Sequence, residues 1–194
     1  MENSFKYIVA GHAFAVTLPE GFTKEEHLSP YEPFLCDDES VEPLFRLRVE
    51  FVDDLHEAEP GTVKEVMNDE APYFWLFEAE AGLYNFGFSY YKNHPDCILK
   101  PSEDYTDNVV YITREHASRH LEFALSNAMM LLYTFRTSPY ETLMVHASVI
   151  RHSNGGYMFL GRSGTGKSTH SSLWLKNIEN TYLLNDDNPV IRVE

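Results

Sequence analysis

Alternating apolar and polar residues along the first 112 positions predict a module made mainly of strands. In several stretches every second side chain is apolar, which is the period of a strand with one face against a core. Two further runs, 73–80 and 83–91, flank Ala81-Gly82 and predict a hairpin. The polar, proline-bearing stretches 20–42 and 53–72 are predicted to be connections, with room for one short helix. Strands are therefore expected at 5–9, 14–18, 45–51, 73–80, 83–91 and 109–112, in an antiparallel module.

A long helix is predicted from residue 113 to about residue 136. Thr113 suits the N-cap, Glu115 lies in the first turn, and Ser138-Pro139 ends the helix. His116 and His120 are spaced to share one helix face and to bind a metal, but no third ligand is evident, so a solvated face is preferred. The apolar face consists of Ala117, Leu121, Ala124, Leu125, Ala128, Leu132 and Phe135.

A glycine-rich segment follows the short apolar run 157–160, which is predicted to be a buried strand. The segment fits G-x-x-x-x-G-K-[ST], the phosphate-binding loop of P-loop proteins. Its glycines let backbone N–H groups approach phosphate, and the helix predicted at 168–176, with Leu173 and Trp174 available for packing, directs its positive end at the same anion. The alternative is a Gly/Ser turn with an unrelated lysine. The predicted nucleotide-binding residues are Gly161, Arg162, Ser163, Gly164, Thr165, Gly166, Lys167, Ser168 and Thr169.

Two adjacent carboxylates, Asp186 and Asp187, end the next apolar stretch. Ligands of parallel sheets bind beyond the carboxyl ends of the strands, so both carboxylates are expected beside the loop. One of them suits Mg²⁺ and the other can accept a proton from an attacking hydroxyl. The alternative is a turn that only ends the strand, since Asn188-Pro189 follows.

Residues 144–194, about a quarter of the chain, resemble the nucleotide-binding core of HPr kinase/phosphorylase and, more broadly, the phosphoenolpyruvate carboxykinase-like superfamily. The loop carries the inner Ser163 and Gly164 of that family, and the carboxylate pair follows it closely. A strand at 144–150 that bears His146 precedes the loop strand, and Asn154-Gly155 predicts a tight hairpin between them.

The loop motif implies that Lys167 reaches the terminal phosphates and that the Ser168 hydroxyl holds Mg²⁺. The resemblance implies roles for further residues. One carboxylate is the general base and the other a metal ligand; we favour Asp186 as the base and Asp187 as the ligand. His146 lies beside the transferring phosphoryl group, or is an ordinary hydrogen-bonded core histidine. Arg162, where the family often has a small acidic or polar residue, either contacts phosphate or faces solvent.

Composition limits the partners. The chain of 194 residues is 43% hydrophobic, which is enough to form a core. Its aromatic content of 14% argues against disorder. Its net charge of −15 lies entirely in residues 1–137, because the rest carries five basic and five acidic residues; this predicts neither nucleic acid nor membrane as a partner. No signal peptide or apolar run long enough to cross a bilayer is apparent. Cys36 and Cys97 are not spaced as metal ligands and are not expected to form a disulfide. A cytoplasmic location is therefore predicted.

Together these patterns predict an α+β or α/β chain with a β-rich N-terminal module at 1–112 and, at 113–194, one long helix followed by a phosphoenolpyruvate carboxykinase-like P-loop core. The leading hypothesis is an HPr kinase-like phosphotransferase that moves the terminal phosphoryl of Mg–ATP to a hydroxyl of a protein or small molecule. The alternatives are a non-catalytic nucleotide-binding regulatory module and a carboxykinase-like enzyme, although the extra basic and metal-binding residues of the latter are not evident. A homo-oligomer is compatible with the sequence. Because a sheet carrying this loop needs further strands and helices, we expect the chain to be a piece of a longer protein.

Overall fold

A computed structural model describes residues 3–193 and divides the chain into two compact units, Met1–Arg136 and Thr137–Glu194. They are called the N-terminal unit and the C-terminal unit below. The division falls after the long helix, whereas the sequence suggested a boundary before it, at residue 112. The helix belongs with the N-terminal sheet because its side chains bond to that sheet: Tyr133 Oη donates to Val9 O at 2.8 Å, and Arg136 Nε donates to Leu44 O at 3.1 Å.

The N-terminal unit contains a mixed sheet and a short helix, α1 (Lys24–His27). The strands of the sheet are β1 (Asn3–Val9), β2 (His12–Leu18), β3 (Phe45–Val52), β4 (Thr62–Met67), β5 (Tyr73–Glu78), β6 (Tyr84–Ser89), β7 (Cys97–Lys100) and β8 (Asp107–Thr113). Their order across the sheet is β1-β2-β3-β8-β7-β6-β5-β4. Strand β3 runs parallel to both of its neighbours, and the other pairs are antiparallel. The prediction of an antiparallel module is therefore wrong at β3, which is reached from β2 by a connection long enough for a parallel crossover.

The period-two pattern is confirmed most clearly in β3. Phe45, Leu47 and Val49 are buried, while Arg46 and Arg48 on the opposite face are exposed. Strand β4 lies where a connection was expected, and β7 lies in a stretch for which no strand was predicted. Strand β4 has no buried residue to mark a core-facing side, and β7 is only four residues long with its first three all buried, so neither alternates in the sequence.

The predicted long helix is α2 (Arg114–Thr137). Its N-cap prediction is confirmed, because Thr113 Oγ1 accepts a hydrogen bond from the backbone N–H of His116 at 3.3 Å. The predicted apolar face is buried except at Phe135, which is 38% exposed and contacts the ring of Tyr105. Within residues 3–193, no helix combines the length and apolarity that crossing a bilayer requires.

The C-terminal unit has two small sheets and one helix. Its elements are β9 (Thr142–Met144), β10 (Ala147–His152), β11 (Gly155–Leu160), α3 (Lys167–Asn177), β12 (Thr181–Asn185) and β13 (Val190–Arg192). Strand β10 lies in the middle of the first sheet, antiparallel to both β11 and β12, and β9 pairs with β13 in the second. Since β11 and β12 both oppose β10, their carboxyl ends point the same way, towards the residues that precede β10.

Two predictions for this unit are corrected. The strand expected at 144–150 is interrupted at Val145-His146, because Val145 N–H donates to Pro189 O at 3.1 Å and Ala147 N–H to Asp187 O at 2.9 Å, which draws this stretch to the segment after β12. The loop strand β11 was expected to be buried, but Leu160 is 62% exposed because β11 is an edge strand. The predicted hairpin between β10 and β11 is confirmed, with His152 opposite Gly155.

Candidate functional site

A loop of six exposed residues, 161–166, joins β11 to α3. Gly166 forms the N-cap of α3 with φ +91°, a left-handed conformation that favours glycine. At Gly161 a Cβ atom would lie 2.6 Å from Thr165 Oγ1, so any side chain here would force the loop or Thr165 to shift. Thr165 fixes the turn by donating to Arg162 O from its backbone N–H and its hydroxyl, at 3.2 and 2.8 Å. The glycines thus allow a tight turn that ends at a helix N-terminus, whose first amides have no intrahelical acceptor.

Lys167, the first residue of α3, turns back over this loop. Its ammonium donates to Gly161 O at 2.9 Å and to Arg162 O at 3.2 Å. The same nitrogen lies 2.8 Å from His146 Nε2. The lysine therefore connects the loop to the bend before β10.

His146 continues this chain of contacts to one of the two predicted carboxylates. Its Nδ1 lies 3.2 Å from Asp187 Oδ1, and the two side chains are 48% and 72% exposed. The other oxygen of Asp187 accepts a hydrogen bond from Asn188 Nδ2 at 2.9 Å. A cation, an imidazole and a carboxylate consequently follow one another from the loop to the end of β12, and a solute can reach them.

Asp186 turns to a different set of partners. Ser148 Oγ on β10 donates to Asp186 Oδ1 at 2.5 Å, and the same hydroxyl lies 2.5 Å from Ser171 Oγ on α3. Neighbouring residues of an extended chain point to opposite sides, which separates the carboxylate pair. Sequence reasoning missed both serines; their signals were a polar residue inside an apolar strand and a small hydroxyl residue one turn after Lys167.

The outer turns of α3 pack on β11 through aromatic rings. Trp174 lies with its ring centre 5.1 Å from that of Tyr157 and 5.8 Å from that of Phe159, and His170 lies 4.5 Å from Phe159. Leu173, which was also expected to pack, is instead 52% exposed. The contacts of Trp174 and His170 hold the helix, and with it Lys167 and Ser171, against the sheet.

The other histidine pair singled out in the sequence lies in the N-terminal unit. His116 Nε2 is 3.8 Å from Asp96 Oδ1, and Asp96 is fully buried and accepts a hydrogen bond from Ser89 Oγ at 2.9 Å. His116 is therefore partly buried beside a carboxylate, whereas the sequence favoured a solvated helix face for it. Across residues 3–193, no three His, Cys, Asp or Glu side chains are grouped so that they could hold a metal by themselves.

The site that remains combines a glycine loop, a helix N-terminus, Lys167, His146 and the two carboxylates. The rest of the predicted loop residues, Arg162, Ser163, Ser168 and Thr169, are exposed. Comparison of the chain with protein-family models and with curated proteins found no match in either case.

Proposed function

We propose that the C-terminal unit binds Mg–ATP and transfers its terminal phosphoryl group to a hydroxyl acceptor, as a kinase of the phosphoenolpyruvate carboxykinase-like superfamily. The observation that carries the proposal is the continuous contact from the loop through Lys167 and His146 to Asp187. The Lys167 ammonium and the Asp187 carboxylate contact the two nitrogens of the same imidazole ring. A cation that can bind phosphate and a carboxylate that can accept a proton therefore lie close together. Such an arrangement serves phosphoryl transfer, where most of the catalysis is positioning and charge stabilisation.

Nucleotide binding is supported by the loop itself. Gly161 and Gly166 let the backbone approach a phosphate chain, and the N-terminus of α3 favours an anion at the same point. Lys167 donates to two loop carbonyls, so its ammonium already lies at the loop that would hold the phosphates. Ser168 follows it directly, at the position whose hydroxyl binds Mg²⁺ in P-loop proteins.

From the sequence, Asp186 was favoured as the general base and Asp187 as the metal ligand; the contacts support the reverse assignment. Asp187 is exposed and paired with His146, so it suits the general base, which has to meet an incoming hydroxyl. Asp186 is tied through Ser148 to α3, so it suits the fixed metal ligand together with Ser168. Bound Mg²⁺ would neutralise charge on the phosphates, and it commonly takes only one or two protein oxygens, with phosphate oxygens and water completing its shell.

In the reaction, the acceptor oxygen attacks the terminal phosphorus while its proton passes to Asp187. The bond from that phosphorus to the bridging oxygen breaks, and ADP leaves with the electron pair. His146 holds Asp187 in place and keeps the lysine at the phosphate side of the site. No oxidant or further co-reactant is needed.

The first test is Lys167→Ala, compared with Lys176→Ala near the other end of the same helix. Losing a charge-assisted contact of this kind costs about 1.5–3 kcal/mol, so ATP affinity should fall roughly tenfold to a hundredfold for Lys167→Ala and stay unchanged for the control. Titration calorimetry with ATP measures both. Equal affinity of the two variants would exclude the loop as the phosphate site.

The second test separates the two carboxylates. Asp187→Asn should bind Mg–ATP normally and lose turnover, because proton acceptance matters in the transition state. Asp186→Asn should need more Mg²⁺ for the same ATP binding. ATP consumption with candidate acceptors, measured across a Mg²⁺ series, distinguishes these outcomes. Mg-dependent binding without any turnover would instead favour the non-catalytic nucleotide-binding module.

A further inference from the structure

Two buried serine hydroxyls meet beside Asp186. Ser148 and Ser171 are 0% and 1% exposed, although they come from different elements, β10 and α3. Ser148 Oγ is 2.5 Å from both Ser171 Oγ and Asp186 Oδ1. A hydroxyl in a helix commonly bonds to a carbonyl of its own preceding turn, whereas the Ser171 hydroxyl faces the strand.

The direction of these bonds follows from counting protons. A serine hydroxyl carries one proton, and the proton of Ser148 is donated to Asp186. Ser171 must therefore be the donor in its contact with Ser148. The result is a chain of two bonds in the same direction, from α3 through β10 to the carboxylate, in which each bond polarises the next.

We propose that Ser148 and Ser171 are positioning residues that hold Asp186 as a one-oxygen ligand for Mg²⁺ at the first turn of α3. This inference rests on the proposed function. Ser168 and Ser171 are three positions apart and are therefore neighbours on the surface of α3, and the bonds through Ser148 tie Asp186 to that part of the helix. Because Ser148 donates to Oδ1, we assign the metal to Oδ2, the oxygen with which Ser148 does not compete. The two serines link the end of β12 to the helix that binds the phosphates.

The test measures how ATP binding depends on Mg²⁺ in the wild-type chain and in Ser148→Ala, Ser171→Ala and Ser172→Ala. Ser172 is the exposed neighbour of Ser171 on the same helix and serves as the control. Loss of a hydrogen bond to a charged group should raise the Mg²⁺ concentration for half-maximal enhancement about fivefold or more in Ser148→Ala, and less in Ser171→Ala. ATP affinity measured in EDTA should stay within about twofold of wild type in every variant. Ser171→Thr, which keeps the hydroxyl that Ser171→Ala removes, should show the wild-type Mg²⁺ dependence.

Each outcome bears on a different statement. If the wild-type chain binds no ATP, the proposed function fails and this inference fails with it. If it binds ATP with Mg²⁺ enhancement, but Ser148→Ala and Ser171→Ala show the same Mg²⁺ dependence as Ser172→Ala, only the positioning role is wrong. An equal loss of ATP affinity with and without Mg²⁺ would also overturn it, because that pattern indicates a general structural defect. Should Ser148→Ala fail to fold, Ser171→Ala and its threonine counterpart decide the question.

Discussion

The N-terminal and C-terminal units differ in how they use their apolar and polar side chains. In the N-terminal unit, Leu47 of β3 and Leu125 of α2 are completely buried. In the C-terminal unit, Leu160, Tyr182 and Leu184 are 62, 61 and 59% exposed, while the serines beside Asp186 are buried. The first unit is stabilised mainly by removing apolar surface from water, and the second directs its tightest contacts to the loop and the carboxylates. Stability and candidate chemistry are thus separated along the chain.

Removing the same side chain from each unit tests this difference most strongly. Leu47→Ala creates a cavity in a closed core and should lower the free energy of unfolding by about 2–5 kcal/mol. Leu160→Ala removes an exposed side chain and should stay within about 0.5 kcal/mol of wild type. Urea denaturation checks both, and the two tryptophans of the chain, Trp75 and Trp174, report on the N-terminal and C-terminal units respectively.

Comparable losses for the two leucines would contradict the comparison, because they would mean that Leu160 is covered in solution. Replacing Trp174 by Phe in both variants leaves Trp75 as the single reporter, so that a loss confined to the N-terminal unit is seen directly. The same background without the leucine change is the reference.

A smaller change in free energy is expected for a substitution in the glycine loop, because it alters backbone geometry and does not empty a buried core. In Gly161→Ala the new Cβ would lie 2.6 Å from Thr165 Oγ1, so the turn must shift or the Thr165 hydroxyl must leave Arg162, at a cost of about 1–3 kcal/mol. We expect this cost to appear as weaker ATP binding, with global stability little changed. Gly156→Ala, in the strand that leads into the loop, is the control, because a Cβ there meets no atom within 4 Å.

The double variant Gly161→Ala, Thr165→Ala makes the test specific. Removing the hydroxyl that the new Cβ meets should recover part of the lost ATP affinity, even though Thr165→Ala alone gives up a bond to Arg162. Calorimetry on the four combinations measures the coupling between the two positions. Independent effects would show that the close approach at Gly161 does not shape the phosphate site.

How far the sequence predicted each unit follows from this difference. Half-buried strands such as β3 and the amphipathic α2 were predictable, because burial on one face leaves a period in the sequence. Strand β4, exposed along its whole length, leaves no such period. In the C-terminal unit, the strand–loop–helix segment was predictable from its glycines, yet the break before His146 was not, because it depends on bonds to residues 187–189 that are distant in sequence.

For the two carboxylates as well, the sequence predicts the general location but not the individual contacts. That Asp186 and Asp187 lie close to the glycine loop could be predicted from the direction of the strands. Which of them meets His146 and which meets Ser148 could not, since it depends on how the chain bends after β12. Ser148 and Ser171 are far apart in the sequence, and only the packing of α3 on β10 brings them together.

The smallest predicted effect concerns a surface carboxylate of the N-terminal unit whose hydrogen bonds, unlike those of Asp186, stay within one loop. Asp104 Oδ1 accepts hydrogen bonds from Thr106 Oγ1 at 2.6 Å and Ser102 Oγ at 2.9 Å. These bonds, with Thr106 contributing most, lower the pKa of Asp104 to about 2. A carboxyl whose pKa is lower in the folded chain adds stability above its ordinary pKa of about 3.9, and that stability is lost as the pH falls through about 2.

Thr106→Ala should therefore raise the pKa of Asp104 towards its ordinary value and narrow the pH range over which this loop is stabilised. Titration of the Asp104 carboxyl carbon by NMR, from pH 5 down to about 1.5, measures the change. Thr17→Ala is the control, because the Thr17 hydroxyl is also exposed but donates to Ser4. Since the hydrogen bonds of the Asp104 carboxylate begin and end within residues 102–106, ATP binding to the C-terminal unit should be the same in both variants. A change in ATP affinity on Thr106→Ala would mean that surface bonds of the N-terminal unit reach the candidate site, and the separation between the two units would have to be given up.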